Sequence, residues 1–334
     1  MVNAVCNLSC LHCDLPDTYK RYNMALSPGD WEYLMRRVAR ELAPKVIAVS
    51  AKEPLLPTDG RAKTLAVLKT AIVEGIECGV VTNGVFLDAF LAELDAGAKI
   101  DFLDVSVDGY GATDDAIRGS GHFEHVNRLL RVLPWHEKVR RMFISTCLNR
   151  LNAQPKELKR HLDWIRELSD APRAALLFMY CNEHNDSSLR LTRGMALDAL
   201  EIAVQAADGF DELFIEVFPN SVPEMQEFMD KGLLPSWNKL VRDEKGMLVG
   251  HVAGNLFARY VTNFDLVKYH LRISPEGHAL KPEGIEAENY LSYSYGDLVR
   301  QDWAEIHSRI GDDLQFRKGY LGSEMSIVRS ESVT

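Results

Sequence analysis

Short β-branched runs alternate with amphipathic segments from the start of the chain to about residue 210. Residues 2–5, 46–50, 78–82, 102–107, 142–146 and 175–179 read as strands. Between them, and after the last, residues 30–42, 61–74, 87–96, 123–133, 156–168 and 193–206 place apolar side chains at helical spacing, as in Leu34, Val38 and Leu42. Ser27-Pro28 with Asp30 behind it is a helix start. Six strand–helix units with right-handed crossovers predict an α/β fold, a partial (β/α)6 TIM-like barrel. Ligands in such sheets bind at the C-terminal strand ends, so the segments after each strand are where chemistry is expected.

Beyond residue 210 the rhythm changes. Residues 212–218 suit a further strand and 222–229 a helix. A mixed region with Gly250, Gly254 and many aromatics follows. Residues 272–274 and 278–280, joined at Pro275-Glu276-Gly277, read as a hairpin, and 302–310 as a closing helix. The expected organisation is a core over residues 1–215 and a small α+β extension over 216–334. Five residues precede Cys6, so a first strand there is very short, and the natural chain is expected to begin upstream of Met1.

The 334 residues carry 38 basic and 48 acidic side chains, a net charge of −10 that disfavours nucleic-acid binding. The basic stretch from Lys138 to Arg141 reads as a solvated end. No apolar run approaches the ~20 residues of a membrane span, and no signal peptide is visible. Three of the six cysteines crowd into residues 6–13, which favours metal ligation in a reducing compartment; a cytoplasmic location is expected.

The crowded segment is Val5-Cys6-Asn7-Leu8-Ser9-Cys10-Leu11-His12-Cys13, a C-x3-C-x2-C loop directly after the first expected strand. Three thiolates can hold three irons of a cubane and leave the fourth iron open. A structural zinc site needs a fourth ligand, and neither His12, Asp14 nor a distant cysteine stands at usual zinc spacing. The loop resembles the cluster-binding signature of the radical S-adenosylmethionine superfamily, with His12 where an aromatic residue is usual. That resemblance implies Cys6, Cys10 and Cys13 as ligands of a [4Fe–4S] cluster. It further implies S-adenosylmethionine bound to the open iron and cleaved reductively to a 5′-deoxyadenosyl radical, which abstracts hydrogen from a substrate.

Further motifs follow in order. Ala51-Lys52-Glu53-Pro54 is similar to the family's Gly-Gly-Glu-Pro segment at the methionine amino group, with both glycines replaced. Lys52 is either a solvated loop cation or turned toward substrate. Thr82-Asn83-Gly84 resembles an element bordering the cofactor, and as a plain dipeptide Asn-Gly is a turn. Ser106 and Asp108, with Arg118 in Ile117-Arg118-Gly119, resemble residues near the ribose, the methionine and its carboxylate; singly each also suits a cap or surface pair. Asn149 and Asn152 lie where the family places an adenosine-contacting asparagine, Asn152 being preferred. Met179 ends the sixth strand, beside the adenine or in the core. Cys147 and Cys181 follow strands five and six. There a thiol is placed to donate hydrogen to a substrate radical, or else serves as a small buried hydrophobe. Cys78 is expected to be structural.

The C-terminal hairpin and helix resemble the SPASM or twitch extension, which normally carries cysteines for auxiliary clusters. Here Lys281-Pro282-Glu283 occupies the expected position of a ligand, and no cysteine follows Cys181. The resemblance implies a substrate that is a peptide or a natural-product intermediate, and an electron donor of flavodoxin or ferredoxin type. Without an auxiliary electron acceptor, epimerisation, rearrangement or decarboxylation is favoured. A sugar- or nucleoside-modifying enzyme, or a non-catalytic iron–sulfur or zinc module on the same fold, is the alternative.

Overall fold

A computed structural model describes residues 1–13, 15, 25–57, 60–178, 187–217, 225–243, 247–261, 268, 270–282 and 290–324. Strands β1 (Val46–Val49), β2 (Glu77–Thr82), β3 (Ile100–Ser106), β4 (Val139–Leu148), β5 (Arg173–Phe178) and β6 (Glu212–Val217) lie side by side and all parallel. The crossovers carry α2 (Gly60–Val73), α3 (Leu87–Glu93), α4 (Ala112–Arg118) with α5 (His122–Val132), α6 (Pro155–Arg166) and α7 (Arg193–Ala206). Alternate strand residues face the helices: Val80, Leu103, Val105, Ile144, Leu176 and Ile215 are all buried. Their neighbours, among them Phe102, Asp104, Phe143, Phe214 and Glu216, line the inner face of the curled sheet. The α/β partial barrel expected from the pattern is therefore the architecture.

Two boundaries differ from expectation. Residues 2–5 form no strand. Val2 and Ala4 are buried, yet the segment meets the loop after β1 rather than β1 itself, through Glu53 N donating to Val5 O at 3.2 Å. The sixth parallel strand is instead β6. Nor does the sheet stop at residue 215, which falls inside β6. It continues through β9 (Leu256–Tyr260), parallel to β6, and then the antiparallel β8 (Leu248–Ala253) and β7 (Val241–Arg242). The turn between β8 and β9 needs Gly254, at φ +48°, because a Cβ there would lie 2.2 Å from Asp208 Oδ1.

Helix α1 (Pro28–Leu42) starts as read, with Ser27 and Asp30 exchanging capping bonds and proline in the first turn. It also holds the extension. Arg37 donates to Leu298 O and Val299 O and lies 5.2 Å from the Trp303 ring centroid. The extension comprises the hairpin β10 (Arg272–Ile273) and β11 (His278–Leu280), strand β12 (Ser294–Asp297) and the closing helix α8 (Trp303–Glu324). The Met1 amino group reaches Ile273 O at 2.9 Å. The extension thus closes against the β1 side of the barrel. Among the described residues, no helix is long and apolar enough to cross a membrane.

Candidate functional site

The cysteine loop lies over the C-terminal ends of β1 to β4. Leu8 N points at Cys6 Sγ (3.4 Å), Asn83 Nδ2 approaches the same sulfur (3.8 Å), and Arg118 Nη1 reaches Cys10 Sγ at 4.0 Å. The loop is tied down by Cys13 N donating to Cys10 O and Leu11 N to Ile117 O. None of the three cysteines is in a disulfide. Burial pushes the Cys6 thiol up and the Cys10 thiol up to about 12; the Leu8 amide opposes this at Cys6 and the Arg118 guanidinium at Cys10. Among the described residues, the ligand atoms found within 4.8 Å of one another are those of His12, Asp108 and Cys147, not the three loop sulfurs. A single zinc ion, with bonds of about 2.3 Å, would need the sulfurs closer. Three separated thiols with N–H donors aimed at two of them fit a [4Fe–4S] cluster that leaves one iron without a protein ligand.

Glu53 braces the loops around those thiols. Its side chain is fully buried and accepts from Thr82 Oγ1 (2.7 Å), Leu55 N (2.9 Å) and Asn83 N (2.8 Å). Burial pushes its carboxyl up, against these donors and Arg118. Asn83 passes the order on to Asn7 Oδ1, at 2.8 Å. Pro54 O accepts from Thr64 Oγ1. Ala51 and Lys52 both have left-handed backbones, φ +70° and +52°. That is the conformation for which glycine is suited, and it explains the physical demand behind the two replaced glycines. Lys52 is not simply solvated: its Nζ donates to Leu15 O at 2.8 Å, just past the cysteine loop.

A second buried group stands behind Cys10. Arg118 Nε lies 2.7 Å from Asp108 Oδ2 and 3.8 Å from Asp114 Oδ1. The Asp108 contact lies off the N–H direction, so it is an ion pair rather than an aligned hydrogen bond. Burial, the largest single influence, would raise the Asp108 carboxyl; Arg118, His12 and the Cys147 N–H together outweigh it and hold the group below the usual carboxylate range. Asp108 Oδ1 also accepts from Cys147 N, and His12 Nδ1 stands 3.5 Å from Oδ2. Arg118 so close to Asp108 makes the His12, Asp108 and Cys147 group a poor cation site. Asn152 donates to Asp108 O and Cys147 O, and its Oδ1 accepts from Asn149 N, so both asparagines are buried braces of this loop. Ser106 ends β3 on the inner face, in register with Ser145.

Two residues escaped the sequence reading. Asp114 accepts from Asp108 N through Oδ1 and meets His122 Nδ1 at 2.5 Å through Oδ2; His122 Nε2 meets Asn83 O at 2.9 Å. This buried chain links the loop after β3 to the loop after β2. Its only sequence trace is the Asp114, Arg118 spacing of four on one helix face. Arg141 also departs from expectation: it pairs with Glu77 at 2.5 Å and lines the cavity instead of ending in solvent. Cys78 is buried. Met179 and Cys181 lie outside the described residues.

Beneath the loops, the inner face bounds a cavity of about 1160 Å³, to whose wall the extension adds Ile273, Leu280, Tyr295 and Trp303.

Residues 2–165, just under half of the chain, match the model of the radical SAM superfamily. Members of the superfamily bind a [4Fe–4S] cluster and S-adenosylmethionine. The chain is 31% identical over 114 residues to the pre-heme d1 synthase of Dinoroseobacter shibae, a match covering 34% of this chain and 27% of that protein. Its fold is similar to Streptococcus suis SuiB bound to precursor peptide SuiA, with a TM-score of 0.58 and 13% identity over 90% of this chain and 62% of that one. It is also similar to anSMEcpe with bound AdoMet, with a TM-score of 0.56 and 14% identity over 91% and 78% of the two chains. The chain thus spans well under two thirds of the synthase and a little under two thirds of SuiB.

Proposed function

We propose that this chain is a radical S-adenosylmethionine enzyme acting on a peptide or a natural-product intermediate. The observation that carries the reading is the three-thiol loop above the parallel sheet, with Arg118 at Cys10 and the Asn7–Asn83–Glu53 chain behind Cys6. In this reading Cys6, Cys10 and Cys13 hold the cluster, which when bound supplies the electron that cleaves the sulfonium. Leu8 N–H and Arg118 offset thiolate charge. Arg118 also offers a guanidinium toward the methionine carboxylate. Ala51, Lys52, Glu53, Pro54, Thr82 and Asn83 shape the methionine side. Ser106, Asp108 and Asn152 shape the ribose and adenosine side, to which the family resemblance alone adds Met179.

A peptide substrate is supported by the cavity, which exceeds the ~300–1,000 Å³ of ordinary small-molecule pockets. It is supported too by the solved neighbours SuiB and anSMEcpe, whose structures hold peptides. With no cysteine beyond residue 181, the extension offers no thiolate for a second cluster. The favoured outcome is accordingly redox-neutral: epimerisation, rearrangement or decarboxylation. In an epimerisation, Cys147 or Cys181 is the hydrogen donor. Electrons are drawn from a flavodoxin- or ferredoxin-type protein in a cytoplasmic setting.

The test is anaerobic reconstitution with iron and sulfide, then incubation with S-adenosylmethionine and dithionite. Reductant-dependent 5′-deoxyadenosine is expected. Its absence from a protein that holds its full iron complement would overturn the enzymatic reading.

A further inference from the structure

Of the acids lining the cavity, Glu77, Glu212 and Glu216 each pair with an arginine, whereas Asp104 does not. Asp104 lies two residues before Ser106 on β3, on the same inner face, about 7 Å deeper in the barrel. Its Oδ1 is sealed from water and has no hydrogen-bond partner. The Ser145 hydroxyl on β4 is beside the carboxylate, and Glu216 and Arg259 face it from β6 and β9. The neighbouring guanidiniums are engaged elsewhere. Arg259 pairs with Glu216 at 2.6 Å and lies 4.4 Å from the Phe214 ring centroid, and Arg141 pairs with Glu77. Among the described residues, Asp104 forms no ion pair within 4 Å. Burial pushes its carboxyl up to about 7, with Glu216 adding to the shift while Ser145, Arg259 and Arg118 oppose it. An acid left so far from a counter-charge is costly to ionise unless a cation arrives.

The walls match such a cation. Phe143 is the register partner of Asp104 on β4, and its ring centroid lies 6.3 Å from that of Phe214, itself 6.0 Å from Phe257. Aromatic faces beside a carboxylate suit an alkylammonium or guanidinium better than an anion or a neutral alcohol. We propose that Asp104 anchors a cationic nitrogen of the substrate, a primary amine or guanidinium, inside the barrel beneath the cysteine loop. The proposal rests on the enzymatic reading for the word substrate and names that substrate's chemistry. Asp104 thereby sets how deeply the substrate enters and which atom is left at the mouth, near Ser106.

The experiment measures binding of n-butylamine, 1-butanol and butyrate to the reconstituted full chain with S-adenosylmethionine at pH 8, by saturation-transfer NMR or calorimetry. The expected result is butylammonium bound at least tenfold more tightly than butanol, with butyrate weakest. In Asp104→Asn the amine preference should fall by about tenfold. Asp104→Ser provides a second neutral variant should the first fail to fold, and the wild-type comparison alone decides the sign of the preferred charge. Equal binding of amine and alcohol, a preference for butyrate, or full amine preference in a neutral variant would overturn the proposal. Deoxyadenosine formation without any amine, measured on the same wild-type preparation, reports on the enzymatic reading separately. Its failure beside intact amine selectivity leaves this site standing, and the reverse removes this site alone.

Discussion

Arg118 Nε and Asp108 Oδ2 stand 2.7 Å apart, both side chains almost wholly buried, and the same guanidinium extends to Cys10 Sγ. One charge therefore neutralises a carboxylate on the loop after β3 and faces the cysteine loop. Arg118→Ala strands Asp108 without its partner, and breaking a buried pair from one side costs roughly 3–5 kcal/mol. Chemical denaturation should register that loss. Arg118→Lys, which keeps the charge without the planar fork, should recover part of the stability and less of the iron retention. Unchanged stability in the alanine variant would contradict the arrangement.

Glu53 accepts three hydrogen bonds from loops that follow two different strands. In Glu53→Gln an amide NH2 must face at least one of these donors, leaving buried groups unpaired at about 1–3 kcal/mol. We expect a lower unfolding midpoint together with reduced iron after reconstitution, because Asn83 loses the support that presents it to Cys6. An unchanged midpoint would show that Glu53 is not the brace.

The left-handed pair Ala51 and Lys52 separates two effects. Ala51→Gly relieves a φ of +70° and should stabilise the fold by about 1 kcal/mol. Lys52→Gly relieves a φ of +52° but removes the bond from Nζ to Leu15 O. It should gain little stability and lose iron faster on desalting. Equal behaviour of the two variants would remove the tethering role.

His161 supplies a pH test away from the thiols. Thr146 gives its hydroxyl proton to Val107 O, so its oxygen accepts from His161 Nε2 at 2.8 Å, and the ring stacks on Trp164. Burial pushes the imidazole down to about 4, against the pull of Asp108. The folded chain keeps this ring neutral while the unfolded chain protonates it near 6.5. Stability is therefore lost as pH falls from 6.5 toward 4, by about 3 kcal/mol for this group. In His161→Gln that part of the slope should vanish. Identical slopes in the two proteins would refute it.

The cysteine loop was legible because its information is local: spacing alone puts three thiols on one short segment. The order of motifs after strands was legible for a related reason, since parallel topology sends every such loop to one edge. The Asp114–His122–Asn83 chain was not, because those residues become neighbours only once β2 and β3 pair. Residues 2–5 have strand-like composition, yet they face the loop after β1 and find one ladder bond there. The continuation of the sheet through β9 was hidden in a mixed region of glycines and aromatics, where neither the Gly254 turn nor its two strands stood out. Asp104 was passed over as one polar residue in a strand, and only the inward alternation of β3 gives it meaning.

The most direct measurement is iron per chain after anaerobic reconstitution, compared between the native sequence and the Cys6→Ala, Cys10→Ala, Cys13→Ala triple variant. About four irons in the first and a small fraction of one in the second is the predicted result. Equal iron in the two proteins, or bound zinc in place of iron in the first, would contradict the account.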